Sequence, residues 1–164
     1  MPPPLGNGFK LRCFVDADHA GESLTRRSRT GFIVMLNNAP IYWHSKKQTT
    51  VETSTFGLEF MAIKQTTEYL RVLWYKLHMF GIPVDKPAFI YGDNQSVLIN
   101  VSAPESTLKK KSQLVAYQFV HEGCAADEWR TTYLYTSLNI SDLMTKPLSG
   151  EKRWRFVIML LHHI

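Results

Sequence analysis

A chain of 164 residues can bury roughly 68–70% of its unfolded surface, so one domain with a real hydrophobic core is the expected architecture. Hydrophobic residues make up 45% and charged residues 20%, which excludes a fibrous or wholly disordered chain. The net charge of +5 gathers at Arg26-Arg27-Ser28-Arg29, Lys46-Lys47, Lys109-Lys110-Lys111 and Lys152-Arg153-Trp154-Arg155; any one cluster fits a solvated surface, but four together favour a polyanionic partner.

Residues 1–9 begin Met1-Pro2-Pro3-Pro4 and show neither the charged nor the apolar region of a secretory signal, so they are expected to be a flexible lead-in. From 10 to 16 the sequence alternates, with Leu11, Cys13 and Val15 on one face and Arg12, Phe14 and Asp16 on the other, the period of a strand. Segments 30–36 and 40–45 are rich in β-branched and aromatic residues and flank the turn signal Asn37-Asn38-Ala39, predicting an antiparallel meander. Trp43, in the third strand, is expected to be core. Between 56 and 80 the period changes: Glu59, Ile63, Thr66, Leu70 and Leu77 recur at helical spacing until Gly81-Ile82-Pro83 ends the run. A buried strand at 88–91 follows, then a helix at 96–101, a helix at 112–123, a strand at 128–135 and a short helix at 141–146 halted by Pro147. Residues 150–163 read as a last helix.

This order predicts an α/β fold: a mixed five-stranded sheet, its antiparallel meander first, with helices packed on it. The main domain spans 10–148 and a C-terminal helix 149–164. No apolar run approaches the roughly 20 residues that cross a bilayer, so no membrane is expected. Cys13 and Cys124 stand far apart and are expected to be reduced, partly buried thiols.

Four carboxylates carry the chemistry. Asp16 and Asp93 each lie just past a predicted strand, Glu59 sits on the core-facing stripe of the long helix, and Asp142 opens the short late helix. Taken singly, each fits a cap or a turn residue. A carboxylate buried alone costs several kcal/mol or neutralises, so an acid on a core stripe needs a partner, and four converging acids imply metal. No nucleophile elbow, zinc-protease helix or P-loop is present. The six histidines show no ligand spacing; His78 is expected to be structural and His19 solvent-facing. A phosphoacceptor receiver domain, which also carries an acid cluster, would need regular strand–helix alternation that the early meander denies.

Val15-Asp16-Ala17-Asp18-His19-Ala20-Gly21, Trp43-His44-Ser45-Lys46-Lys47-Gln48, Glu59-Phe60-Met61-Ala62, Tyr91-Gly92-Asp93-Asn94-Gln95-Ser96 and Asp142-Leu143-Met144-Thr145-Lys146-Pro147-Leu148 occur in order. Together they resemble the ribonuclease H domain of copia-type retrotransposon polyproteins over about residues 10–148. The resemblance implies a ribonuclease H-like fold and hydrolysis of the RNA strand of an RNA–DNA hybrid during reverse transcription. It further implies two magnesium or manganese ions held by Asp16, Glu59, Asp93 and Asp142. Two such ions, about 3.5–4 Å apart, suit phosphodiester hydrolysis, and carboxylate oxygens are the ligands magnesium prefers.

Arg26, Arg27, Lys46, Lys47, Asn94, Lys109 and Lys110 would then contact the nucleic acid, reading shape, phosphates and 2′-hydroxyls rather than bases. The reverse transcriptase region of the same polyprotein is the implied protein partner, the isolated chain being monomeric, and the implied setting is inside the cell, in cytoplasm or virus-like particles. The loop at 136–139 holds no histidine, where cellular ribonucleases H place a proton-shuttling one. The alternative from another class is a catalytically silent remnant or nucleic-acid-binding module.

Overall fold

A computed structural model describes residues 8–18, 28–49, 54–103 and 114–161. Residues 1–7 of the expected lead-in, His19, Arg26, Arg27, Lys109, Lys110 and Lys111 lie outside the described residues. The chain order is β1 (Phe9–Asp18), β2 (Arg29–Leu36), β3 (Ala39–Lys47), α1 (Thr55–Met79), β4 (Val84–Gly92), α2 (Gln95–Ser102), α3 (Leu114–Ala125), β5 (Trp129–Tyr133), α4 (Asp142–Thr145) and α5 (Gly150–Leu161). The strands form one sheet in the order β3-β2-β1-β4-β5. The first three pair antiparallel, while β4 lies parallel to both β1 and β5. The predicted mixed five-stranded sheet is thus the observed one.

Side-chain alternation divides the core in two. Leu11, Cys13 and Val15 of β1, with Phe32 and Val34 of β2, face Leu58, Phe60, Ala62, Ile63 and Leu70 of α1 and residues of α2 and α3. The intervening Ile33 and Met35 point the other way and pack with Phe14, Ile140, Leu143 and Phe156 beneath α4 and α5. Because successive strand residues alternate faces, a sheet covered on both sides needs apolar residues at both parities.

Two readings of single elements change. Trp43 is not core: it is 65% exposed. It pairs with Ile33 and so shares that residue's face, but β3 is the edge strand of the sheet, with no strand beyond it to flank the indole. Its neighbours Tyr42 and His44 face the opposite way, Tyr42 stacking on Tyr69 and His44 on Phe32. In turn, β4 starts four residues before the expected 88. The register runs from Lys10↔Asp85 to Arg12↔Phe89, so a bulge absorbs Lys86 and Pro87, which is where a residue lacking an N–H is tolerated inside a sheet.

Trp129 anchors the α3 side. It is fully enclosed, and its Nε1 donates to the Val120 carbonyl at 3.1 Å. Gly123 makes room for it, since any Cβ there would overlap the indole ring. Trp129→Ala is expected to lower unfolding stability by about 3–5 kcal/mol, measurable as a shift in the urea midpoint. Cys13 and Cys124 are both free; burial pushes the Cys124 thiol up to about 11 and Cys13 higher still. Among the described residues no helix is long and apolar enough to cross a membrane.

Candidate active site

Asp16 sits near the C-terminal end of β1, the central strand, and is 1% exposed. Asp93 follows the end of β4, its parallel neighbour, so the two carboxylates emerge side by side at one sheet edge. Parallel neighbours joined through a helix characteristically present their carboxyl ends to a common crevice. Glu59 lies in the first turns of α1, a helix whose N-cap Ser54 accepts from the Gly57 N–H at 3.1 Å. Gln48, just beyond β3, fixes that turn: its Nε2 donates to the Leu58 carbonyl at 3.1 Å and to Thr30 Oγ1 at 3.0 Å.

The three acids meet. One carboxylate oxygen from each of Asp16, Glu59 and Asp93 lies within 4.8 Å of the other two. Such crowding of carboxylates is unfavourable without a cation. Burial first, then the charges of Asp16 and Asp93, push the Glu59 carboxyl up to about 9. Burial likewise raises Asp16, although Thr145 and Lys146 oppose the shift. Three oxygens from hard carboxylate ligands in one buried cluster are the donor set that magnesium or manganese prefers.

Asp142 adjoins that cluster without entering it. It is fully buried, and its Oδ1 accepts from Lys146 Nζ at 3.0 Å while its Oδ2 accepts from Lys152 Nζ at 2.7 Å. Lys146 Nζ also donates to Asp16 Oδ1 at 3.1 Å, tying the fourth acid to the first. Thr145 Oγ1 donates to the other Asp16 oxygen, and Thr136 Oγ1 donates to Asp93 Oδ2 at 2.8 Å.

Two devices bring α4 to the sheet. Gly31, opposite Asp16 in register, leaves space for the helix: a Cβ there would lie 2.5 Å from Thr145 Cγ2 and 2.6 Å from Met144 Cβ. Asn139, fully buried, donates from Nδ2 to the Val15 carbonyl at 2.9 Å and accepts from Ser141 Oγ. Ser45 adds a tie by donating to the Met144 carbonyl at 2.6 Å.

Of the nucleic-acid candidates, Lys46 and Lys47 are exposed at the end of β3. Asp16 pairs with Gly31 and Gly31 with Ser45, so these lysines lie about 10 Å from Asp16, two strand spacings away. Asn94 caps α2, its Oδ1 accepting from Ser96 Oγ at 3.0 Å and from the Val97 N–H at 3.3 Å. Thr136, Thr145, Lys146 and Lys152 touch the acids but were not among the sequence-derived site residues. Thr145 and Lys146 stand inside the Thr-Lys-Pro-Leu block and Lys152 inside a basic cluster, which was the available signal.

The chain aligns with two Arabidopsis thaliana sequences, the retrovirus-related Pol polyproteins from transposons RE1 and RE2, at 31% identity over 144 residues. A third relative, the Pol polyprotein from transposon TNT 1-94 of Nicotiana tabacum, is 26% identical over 143 residues. These alignments take in 88% and 87% of this chain but only 10% and 11% of the polyproteins. Among solved structures, LC11-RNase H1 in complex with RNA/DNA hybrid superposes with a TM-score of 0.63 at 13% identity, covering 83% of this chain and 94% of that one. This chain is a ribonuclease H-fold relative of retrotransposon Pol polyproteins. Ribonuclease H1 of Halobacterium salinarum shares the fold of the domain at a TM-score of 0.58 and 14% identity, covering 83% of this chain and 94% of its own. No family model matches the chain. The ribonuclease H-fold domain spans about a tenth of the length of the curated relatives it matches.

Proposed function

We propose that this domain is a divalent-metal-dependent endonuclease that cuts the RNA strand of RNA–DNA hybrids, working beside the reverse transcriptase region of a retrotransposon polyprotein inside the cell. The observation that carries this reading is the meeting of Asp16, Glu59 and Asp93, from three separate elements, within 4.8 Å. Supporting it are the hybrid bound in the LC11-RNase H1 structure and the Pol relatives.

Magnesium or manganese, when bound, supplies an activated water and neutralises charge on the phosphate. The chain's part is to place ligands. Asp16, Glu59 and Asp93 would hold the first ion, and Asp142 would be the fourth acid when two are bound. Thr136 and Thr145 fix the carboxylates of Asp93 and Asp16, so the ligands are oriented before an ion arrives. Lys46, Lys47 and Asn94 contact the nucleic-acid backbone, as do Arg26, Arg27, Lys109 and Lys110. With no histidine at 136–139, bulk water or a metal-bound water would handle the leaving-group proton.

A second reading, a module that holds hybrid without cutting it, is favoured by one feature: both oxygens of Asp142 are occupied by lysines. A cleavage assay with strand-labelled hybrid separates the two. Wild type is expected to nick RNA alone with magnesium, to stop on chelation, and to lose activity as Asp93→Asn. Hybrid binding by wild type without any cleavage would establish the binding module instead.

A further inference from the structure

The two lysines at Asp142 are placed unlike surface ion-pair partners. Lys146 Nζ lies 3.1 Å from Asp16 Oδ1 and 3.0 Å from Asp142 Oδ1, bridging two buried carboxylates. Lys152 Nζ, 2.7 Å from Asp142 Oδ2, satisfies that acid's remaining oxygen. Two carboxylates of an acidic pocket are therefore joined by an ammonium ion, while the other grouping, Asp16, Glu59 and Asp93, has its oxygens turned toward one another.

Charge decides what each region can accept. Ionised, the four acids carry four negative charges, and the two ammonium groups offset two of them. One divalent ion balances the remainder. A second would bring excess positive charge beside Asp16 and Asp142, both buried, where like-charge repulsion is strong. Geometry agrees, since an ion between Asp16 and Asp142 would need the coordinates that Lys146 Nζ occupies.

We propose that Lys146 is a resident cation of the second metal position, so that the free domain takes up one divalent ion at Asp16, Glu59 and Asp93, and a second enters only when the Lys146 side chain withdraws. The inference deepens the nuclease reading and rests on it. Withdrawal is mechanically feasible because the Lys146 side chain is 29% exposed and long, and a phosphate of the incoming hybrid is a ready alternative partner for its ammonium group. Lys152 stays on Asp142 and keeps that acid from being left buried and unpaired. Lys146 is a positioning residue in this scheme: it governs when the ion set is complete and does not touch the reacting atoms.

Calorimetric titration of the full chain with manganese, without nucleic acid, tests this independently of catalysis. Wild type is expected to bind one Mn2+ per chain; Lys146→Met is expected to bind two, or to bind the second at least tenfold more tightly than wild type does, and Lys146→Arg to retain a single ion. Identical stoichiometry and affinities in wild type and Lys146→Met would overturn the proposal while leaving the nuclease reading intact. Binding of no ion by wild type would overturn the nuclease reading itself. Should Lys146→Met fail to fold, anomalous scattering from wild-type crystals soaked in manganese decides. One peak at the three acids with Lys146 still bridging supports the proposal, and a second peak between Asp16 and Asp142 beside an unmoved Lys146 refutes it.

Discussion

Glu59→Gln is expected to reduce magnesium-supported hybrid cleavage about a thousandfold and, in the metal-free protein, to flatten the dependence of stability on pH. On the nuclease reading, the first effect follows from removing one ligand of a metal that would contribute several kcal/mol to the transition state, each 1.36 kcal/mol being tenfold in rate. The second follows from linkage. The Glu59 carboxyl titrates at about 9 in the folded chain, against 4.5 for an ordinary glutamate. Below 4.5 it is protonated in both states and its contribution is fully present. Between the two values the unfolded chain alone releases the proton, so stability falls as pH rises, at up to about 1.4 kcal/mol per pH unit for one group, and the contribution is gone once pH passes through about 9. Glutamine cannot ionise. Urea melts with a chelator at several values between about pH 5 and pH 9 should show a downward trend in wild type that Glu59→Gln lacks, and magnesium should restore wild type most at the alkaline end. An equal slope in both proteins would remove Glu59 from the cluster's electrostatics.

Gly31→Ala is expected to injure both stability and cleavage, although glycine 31 bears no functional group. The added methyl would stand 2.5 Å from Thr145 Cγ2, 2.6 Å from Met144 Cβ and 3.2 Å from the Met144 backbone carbon. The last of these is main chain, so relief requires α4 to lift from β2. Overpacking of this kind costs about 1–3 kcal/mol. Because α4 carries Asp142 and Thr145 and is followed directly by Lys146, lifting it also separates Asp142 from Asp16, and misplacement of about 1 Å can cost a hundredfold in rate. Gly150→Ala, where the new carbon meets no packing neighbour within 4 Å among the described residues, serves as the control and should injure neither property. Hybrid cleavage and the denaturation midpoint, measured on both variants, check the prediction.

Much of the site was visible in the linear sequence because strand and helix periods are strong signals. Asp16 and Asp93 follow alternating or apolar runs, and Glu59 falls on a stripe with Ile63, Thr66 and Leu70, all buried in the structure. Those patterns place acids at element ends without reference to the rest of the chain. The lysines that hold Asp142 were illegible for the opposite reason. Lys146 meets Asp16 across 130 positions, a proximity created by α4 docking against β1 and β2, and Lys152 resembled any other member of a basic run. Trp43 failed on a related count: a β-prone aromatic sits comfortably in a strand, but only the strand order shows that β3 lies at the edge of the sheet. The early start of β4 was hidden by the polar pair Asp85-Lys86 and by Pro87, which the bulge accommodates.

The clasp between Asn139 and the Val15 carbonyl spans 124 positions, and that separation sets an order of events. A polypeptide leaving the ribosome emerges N-terminal end first, at about 5–20 residues per second. Strands β1 to β4, with Asp16, Glu59 and Asp93, are therefore outside the exit tunnel while the segment bearing Asn139, Asp142 and Lys146 is still being made. Until that segment arrives, Asp16 lacks the hydroxyl and ammonium groups that orient it. On the nuclease reading, a nascent or prematurely terminated chain has three of its acids in hand but lacks the side chains that orient Asp16.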